Sequence, residues 1–562
     1  MLRPFKALAT GVVGKSFASD GQMTSPARDD KPGTEKWLAK SLHIAEAFLL
    51  SAAVSLSVFL LQWRYGFNLG DEGWLWYISQ RTALGEVPLR DFFSYDPGRY
   101  YWSAAIFKLL GRNGFYEQLL ANYLFAIIGL ALTYFMMSRA RLSRPVRIAI
   151  LLLLGAVIGF PRHKVYEQTI SLIAVAAIAF VLEAPQKIKR WFLLGILIGL
   201  AAFFGRNSGV FCVIAIAVAL TVLLVRREGP RPLRALAALL GGTLLGYSPM
   251  LAMLVAVHGF AKPFFQSVLM TPKWAWSLPI PFPWHVHLRG LDAIDRLQAR
   301  AVAWLCVAVP LTYAVAIGRA LRSRAKLNVV EWLSVAASAA GSGFLLHAFY
   351  TADVFHIAEG VVPFLVAAGA LSVYCWGKRM RGWSVALFCG MTFLVLASWL
   401  PMEPLVQCLR ARRNEPGEFT HLRIDGRGYL VPYLSAAIMQ AAATAFHNCG
   451  GRDGGFFAAP YYPGLYAFLN TRAPSWDTYY LWPRSDQIQQ AEIDDLQRNH
   501  TSLFLLNPTF AINGRESLEF ARTNPKLLGY IKSHYQRAQV ELPDGFEFHY
   551  SPQECRQAPG KK

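Results

Sequence analysis

Charge is what this chain of 562 residues has least of: only 16% are Asp, Glu, Lys or Arg, against about 25% in ordinary soluble domains. With 54% hydrophobic and 14% aromatic residues beside that poverty, an ordinary soluble globular domain is excluded and an integral membrane protein is indicated. Cysteine is scarce too, and seven scattered residues are too few for a disulfide framework. Cys212, Cys306, Cys375 and Cys389 lie in apolar runs as core residues. Cys408, Cys449 and Cys555, in the polar C-terminal part, allow one bridge and leave an odd thiol. No Walker-type or dinucleotide glycine motif occurs. There is also no internal repeat of the kind that transporters carry. Residues 1–40 are basic at Met1–Phe17 but have no apolar signal-peptide core, and read as a disordered cytoplasmic tail.

The net charge of +21 would suit a nucleic-acid binder, but its placement argues for a lipid bilayer and against nucleic acid. Apolar runs recur at 42–63, 118–137, 146–160, 169–183, 191–205, 208–225, 235–257, 301–318, 331–347, 356–376 and 383–400. Alternate gaps carry the basic clusters: Arg139 to Arg147, Lys187 to Arg190, Arg226 to Arg234, Arg319 to Lys326, and Lys378 to Arg381. With a cytoplasmic N-terminus the positive-inside rule then holds along the whole chain. The expectation is a multi-pass protein of the bacterial inner membrane with about 11 spans and a periplasmic C-terminus. Several runs are shorter than the ~20 residues of a perpendicular span, so tilted or broken helices are expected.

An acidic pair, Asp71-Glu72, follows directly on the first apolar run and falls on the outer face. Carboxylates at that depth are costly. Downstream come Arg90-Asp91 and then Tyr95-Asp96-Pro97-Gly98-Arg99-Tyr100-Tyr101-Trp102, where rings alternate with polar groups as at an interfacial surface. The other outer loops carry bases that topology does not demand: Arg162, His163 and Lys164 with Glu167, Arg206 in a tight turn, Lys273, Trp274, His285 and His287 in the 258–300 loop, and Asp353 with His356. Cations, imidazoles and a few carboxylates thus converge on one side, as a site for an anionic, lipid-borne substrate requires.

After Leu400 the chain turns polar. Tyr433–His447 and Ser485–Asn499 read as helices, Gly455–Ala459 and Ser502–Leu506 as strands, and Gln539–Leu542 with Phe546–Tyr550 as a hairpin around Pro543-Asp544-Gly545. The domain expectation is residues 1–40 as tail, 41–400 as a transmembrane module with its first outer loop at 64–117, and 401–562 as a small periplasmic α/β domain.

This pattern resembles the GT-C superfamily of polytopic glycosyltransferases, which take sugars from polyprenyl phosphates. It is similar to protein O-mannosyltransferases, lipid A aminoarabinose transferases and bacterial lipopolysaccharide-core transferases. The resemblance rests on the span pattern, Asp71-Glu72, Glu86 to Phe92, Asp96-Pro97-Gly98, Asp353 to His356 and the soluble segment Ala459 to Arg472. It implies a polyprenyl-phosphate sugar donor and an envelope glycan, lipid or protein acceptor. Family members commonly place a second acid in the next outer loop, where this chain offers only Glu167 in a basic setting. The alternatives are an O-antigen-ligase-like transferase, whose mark is a large central outer loop, and a lipid or polysaccharide transporter.

Sugar transfer needs a base for the acceptor proton and positive charge for the departing phosphate. Asp71 and Glu72 are the catalytic candidates, with Asp71 as the base and Glu72 orienting the loop. As neighbours they cannot both aim at one point without a special turn, which Gly70 and Gly73 on either side permit, and a division of labour between them is expected. The substrate-binding candidates are Arg90, Asp91, Arg99, Arg162, His163, Lys164, Glu167, Arg206, Lys273, Asp353 and His356. Among them Lys164 and Arg206 are expected on the donor phosphate, as cations without a partner. A divalent cation, Mg2+ or Mn2+, with Asp71 and Glu167 as ligands, can also supply positive charge. Each assignment has a structural competitor. Asp71 can cap a helix beginning at Gly73, Asp91 and Asp96 can shape turns, Arg162 to Lys164 can meet lipid headgroups, and Asp353 with His356 can seat a loop.

Overall fold

A computed structural model describes residues 32–275, 284, 288–350, 352–414, 417–553 and 555. The chain divides into two units, Met1–His43 and Ile44–Lys562; everything below concerns the second. The helices before the polar part are α1 (Pro32–Gln62), α2 (Asp71–Ala83), α3 (Gly98–Leu110), α4 (Phe115–Arg139), α5 (Arg144–Gly159), α6 (Val165–Leu182), α7 (Ile188–Phe204) and α8 (Arg206–Val225). They continue with α9 (Pro232–Ala256), α10 (Ala261–Ala275), α11 (Ala293–Arg322), α12 (Val329–Phe344), α13 (Leu346–Tyr350), α14 (Val354–Gly377) and α15 (Arg381–Trp399).

Each of the eleven apolar runs falls on a helix. Among the described residues nine helical segments are long and apolar enough to cross a membrane. The other two runs lie on α5 and α7, of 16 and 17 residues. At 1.5 Å per residue these reach about 24–26 Å, short of a ~30 Å hydrocarbon core.

Small residues set the closest helix pair. Gly195 and Gly199 of α7 lie against Gly242 and Gly246 of α9, and a Cβ at any of the four would collide with backbone of the opposite helix. Where lipid removes the hydrophobic drive for helix association, such small-xxx-small faces let backbones approach and recover dispersion energy. Helices α6, α12 and α14 form the buried middle. Along α14 the residues Ile357 to Ser372 are all buried.

The basic loops gather at one end, where Arg139 binds Glu183 at 2.6 Å and Arg319 binds Glu331 at 2.6 Å. At the other end the chain folds back on itself. After α16 (Pro404–Asn414), an antiparallel hairpin β1 (Phe419–Ile424) and β2 (Arg427–Pro432) turns on Asp425-Gly426, both with positive φ. Asp-Gly supplies the left-handed pair that a tight hairpin needs. Helix α17 (Tyr433–Asn448) follows. A four-stranded sheet in the order β3-β4-β6-β5 then forms from β3 (Phe456–Ala459), β4 (Leu503–Leu506), β5 (Gln536–Arg537) and β6 (Glu547–Tyr550). The expected closing hairpin is therefore displaced: its first strand is the two-residue β5, and β6 pairs mainly with β4. Cys449 and Cys555 form a disulfide, and Cys408 is the buried odd thiol.

Candidate active site

The site is built around the start of α2. Asn68 Oδ1 accepts from the backbone N–H of Gly70 at 2.7 Å and of Asp71 at 3.1 Å, so Asn68 holds this turn and Asp71 caps nothing. The glycines on either side serve packing, which corrects the expectation of a special turn. Gly70 has a negative φ and faces the Tyr461 ring. Gly73, inside α2, meets the backbone of Gly464 at the start of α18 (Gly464–Leu469). That close approach brings the soluble segment onto the acidic pair. The Tyr461 hydroxyl donates to Asp71 Oδ1 at 2.8 Å. Burial first, and then the Asp71 charge, push the Tyr461 hydroxyl well above its ordinary range, so it stays a donor. Asp71 remains 45% exposed, and His163 Nε2 lies 3.9 Å from its Oδ2.

Glu72 is held differently. Its two oxygens receive Arg162 Nε at 2.6 Å and Nη2 at 2.7 Å, a bidentate pair with side chains 7% and 2% exposed. The same guanidinium donates to the carbonyls of Tyr65 and Gly66, and Glu72 Oε2 accepts from Asn68 N–H. Every strong group of Arg162 is spent on the loop that carries Asp71. The pair thus orients that loop and leaves no free cation at position 162.

The other candidate acids are also paired. Asp91 Oδ2 accepts from Val87 N–H at 2.7 Å, and both its oxygens accept from Arg90 at 2.8 Å, so this candidate pair closes its own turn. Asp96 is buried, accepts from Arg206 N–H at the start of α8 and from its Nε at 3.1 Å, and joins the loop to the bundle. Arg206 also donates to Ser267 Oγ, while its Nη1 is buried without a partner. Glu167 accepts from Arg99 Nη1 at 2.6 Å, and Arg99 also donates to Phe204 O. Asp353 caps α14 through His356 N–H and binds His356 Nδ1 at 2.7 Å. Burial works against ionising Asp353, but the His356 contacts outweigh it and hold the carboxyl below its ordinary range.

Lys164 and Arg206, expected as cations lacking a partner, are both in ion pairs, and that premise is corrected. Lys164 Nζ lies 3.4 Å from Glu359 Oε1, and Glu359, fully buried on α14, also contacts His347 Nδ1 at 3.0 Å. The side chains of Lys273, His285 and His287 lie outside the described residues. Asp71 and Glu167 do not fit a divalent ion between them: Glu167 is bound by Arg99 with Lys164 beside it. Among the described residues no three His, Cys, Asp or Glu groups converge as ligands. Sequence reasoning missed Glu359, His347 and Tyr461. A lone carboxylate inside the apolar run 356–376 is itself a functional signal in a membrane helix.

No family model matches the chain, and no curated protein does. Among solved structures, ArnT from Cupriavidus metallidurans bound to undecaprenyl phosphate is similar at TM-score 0.50 and 14% identity, over 92% of this chain and 98% of that one. The apo oligosaccharyltransferase of Archaeoglobus fulgidus is similar at TM-score 0.46 and 12% identity, over 92% of this chain and 76% of that one. Similarity to ArnT over nearly the whole of both chains shows that this protein shares the fold of ArnT.

Proposed function

We propose that the chain is a membrane glycosyltransferase that moves a sugar from a polyprenyl-phosphate donor to a hydroxyl of an envelope glycan, lipid or protein. It works at the periplasmic face of the bacterial inner membrane. Residues 41–400 form the catalytic module, the 64–117 loop carries the base, and residues 401–562 form the external domain that closes on it. The observation that carries this reading is the contrast among the acids. Glu72, Asp91, Asp96, Glu167, Asp353 and Glu359 each contact an Arg, Lys or His within 3.4 Å. Asp71 is half-exposed, bound to a neutral tyrosine, and free to accept a proton.

In this mechanism Asp71 takes the proton of the acceptor hydroxyl as that oxygen bonds to the sugar's anomeric carbon. The bond from that carbon to the phosphate oxygen breaks, and the lipid phosphate leaves with the electron pair. Lys164 and Arg206, each balanced by its own carboxylate before the donor binds, are the cations offered to that phosphate. The fold of ArnT and the undecaprenyl phosphate bound to that protein support the donor class. The test is conversion of polyprenyl-phosphate sugars from a bacterial lipid extract to free polyprenyl phosphate by the purified protein in detergent. Detergent leaves no compartment to transport across, so consumption supports the transferase. An inert protein, paired with donor movement in sealed vesicles, would favour a transporter.

A further inference from the structure

Two imidazoles beside Lys164 take no part in the acid–base step. His347, on the short helix α13, has Nδ1 3.0 Å from Glu359 Oε1, and His356, on the first turn of α14, has Nδ1 2.7 Å from Asp353 Oδ1. Their rings lie 4.6 Å apart at 79°, and their side chains are 26% and 24% exposed. A carboxylate on Nδ1 keeps the ring proton there, so the neutral ring presents Nε2 as a bare acceptor. Among the described residues neither Nε2 has a hydrogen-bond partner. A bare acceptor cannot bind a phosphate oxygen, whereas a protonated imidazole donates from the same atom.

The charges around the pair set how many protons it holds. The α6 end contributes Lys164 and Glu167, the latter neutralised by Arg99, and α14 contributes Asp353 and Glu359. Asp71 and the hydroxyls of Tyr95 and Tyr461 lie across the site, with His163 stacked on Phe355 at its edge. Phe211 covers His347 from α8. Each imidazole has its own carboxylate, but two imidazolium rings at 4.6 Å with an ammonium on the same Glu359 repel one another. Protonation of the pair is therefore favoured by an added anion.

We propose that the phosphate of the lipid donor binds together with a proton, which His347 and His356 take up between them, so that the phosphate site is completed only when its ligand arrives. This rests on the lipid-phosphate reading above. Because uptake accompanies binding, affinity is highest below the imidazole range and falls as pH rises through it, by about tenfold per pH unit for one proton.

The probe is farnesyl methyl phosphodiester, which stays a monoanion from pH 5.5 to 8.5, so any pH dependence belongs to the protein. Calorimetry in two buffers of different ionisation enthalpy counts the protons. The expected result is uptake approaching one proton, with a Kd that weakens as pH rises, by up to about tenfold per pH unit. The double variant His347→Gln, His356→Gln, at wild-type melting temperature, is expected to bind weakly and independently of pH. Wild-type binding with no uptake and no pH dependence overturns the proposal and leaves the transferase reading standing. Undiminished uptake in the double variant also overturns it. If the variant fails to fold, the wild-type proton count alone decides. Absence of phosphodiester binding at every pH overturns the donor reading itself.

Discussion

At the end of the bundle where α2 docks, charges are sunk and matched: Arg162 with Glu72, Arg99 with Glu167, Lys164 with Glu359, all inside protein. At the opposite end Arg139 and Arg144 are 38% and 66% exposed on rim pairs, and a cavity of about 720 Å³ opens between Glu183, Arg226, Arg324 and Trp332. Both ends are rich in arginine, so composition does not distinguish them. Burial does. Desolvated charges survive only when paired and hydrogen-bonded, and the pairing fixes one geometry, whereas exposed rim charges follow the topology of the helices and fix little. Against a background of matched charge Asp71 stands out as a half-exposed acid whose hydrogen-bond partner is a tyrosine hydroxyl.

The comparison breaks most sharply at Arg162. Replacing it with Met leaves Glu72 as a buried charge with one backbone N–H for company, at a cost of about 3–5 kcal/mol. The detergent-solubilised variant should lose its cooperative melting transition or shift it far downward. Glu72→Gln should act in the same direction through Arg162, while the fraction that stays folded keeps turning over.

An effect of opposite sign sharpens the buried side. Glu403, just past α15, is pushed up to about 8 by burial, which outweighs the opposing Gln62 hydrogen bond and Arg162 charge. Its ordinary value is 4.5, so between those two pH values the folded protein holds a proton that the unfolded chain has released. Stability from this group is full below the lower value and is lost as pH rises through the upper one. Glu403→Gln is expected to be more stable than wild type at pH 8, by on the order of 4 kcal/mol, with the gap closing toward pH 5. A gap that widens at low pH would contradict the assignment.

Much of the fold was legible because its signal is local. All eleven apolar runs are helical, and Tyr433–His447, Gly455–Ala459 and Ser502–Leu506 fall on α17, β3 and β4 within a residue or so. The β1–β2 hairpin was legible too, from Asp425-Gly426 between alternating residues, but went unread. What the sequence could not convey is partnership. Glu72 and Arg162 are 90 positions apart, Lys164 and Glu359 are 195, and Asp71 and Tyr461 are 390. Residue type marked Lys164 and Arg206 as cations without a partner. Only the packing that brings Glu359 and Asp96 against them removes that freedom. The glycines at 70 and 73 misled for the same reason, since what they accommodate is Tyr461 and Gly464, far along the chain.

The smallest effect is expected at the rim. Arg139→Ala removes an exposed partner of Glu183, which Arg190 also contacts, and should cost under about 1 kcal/mol with activity unchanged. A loss as large as that of Arg162→Met would erase the distinction between the two ends.

The most direct test is the rate at which Asp71→Asn, relative to wild type, releases polyprenyl phosphate from lipid-linked sugar in detergent, expressed per folded molecule. Asparagine keeps the size and can still accept the Tyr461 hydrogen bond, but it cannot take the acceptor proton. The account predicts a fall of at least about 10²-fold, at a melting temperature close to wild type. A variant that retains more than about a tenth of the wild-type rate would contradict the assignment of Asp71 as the base.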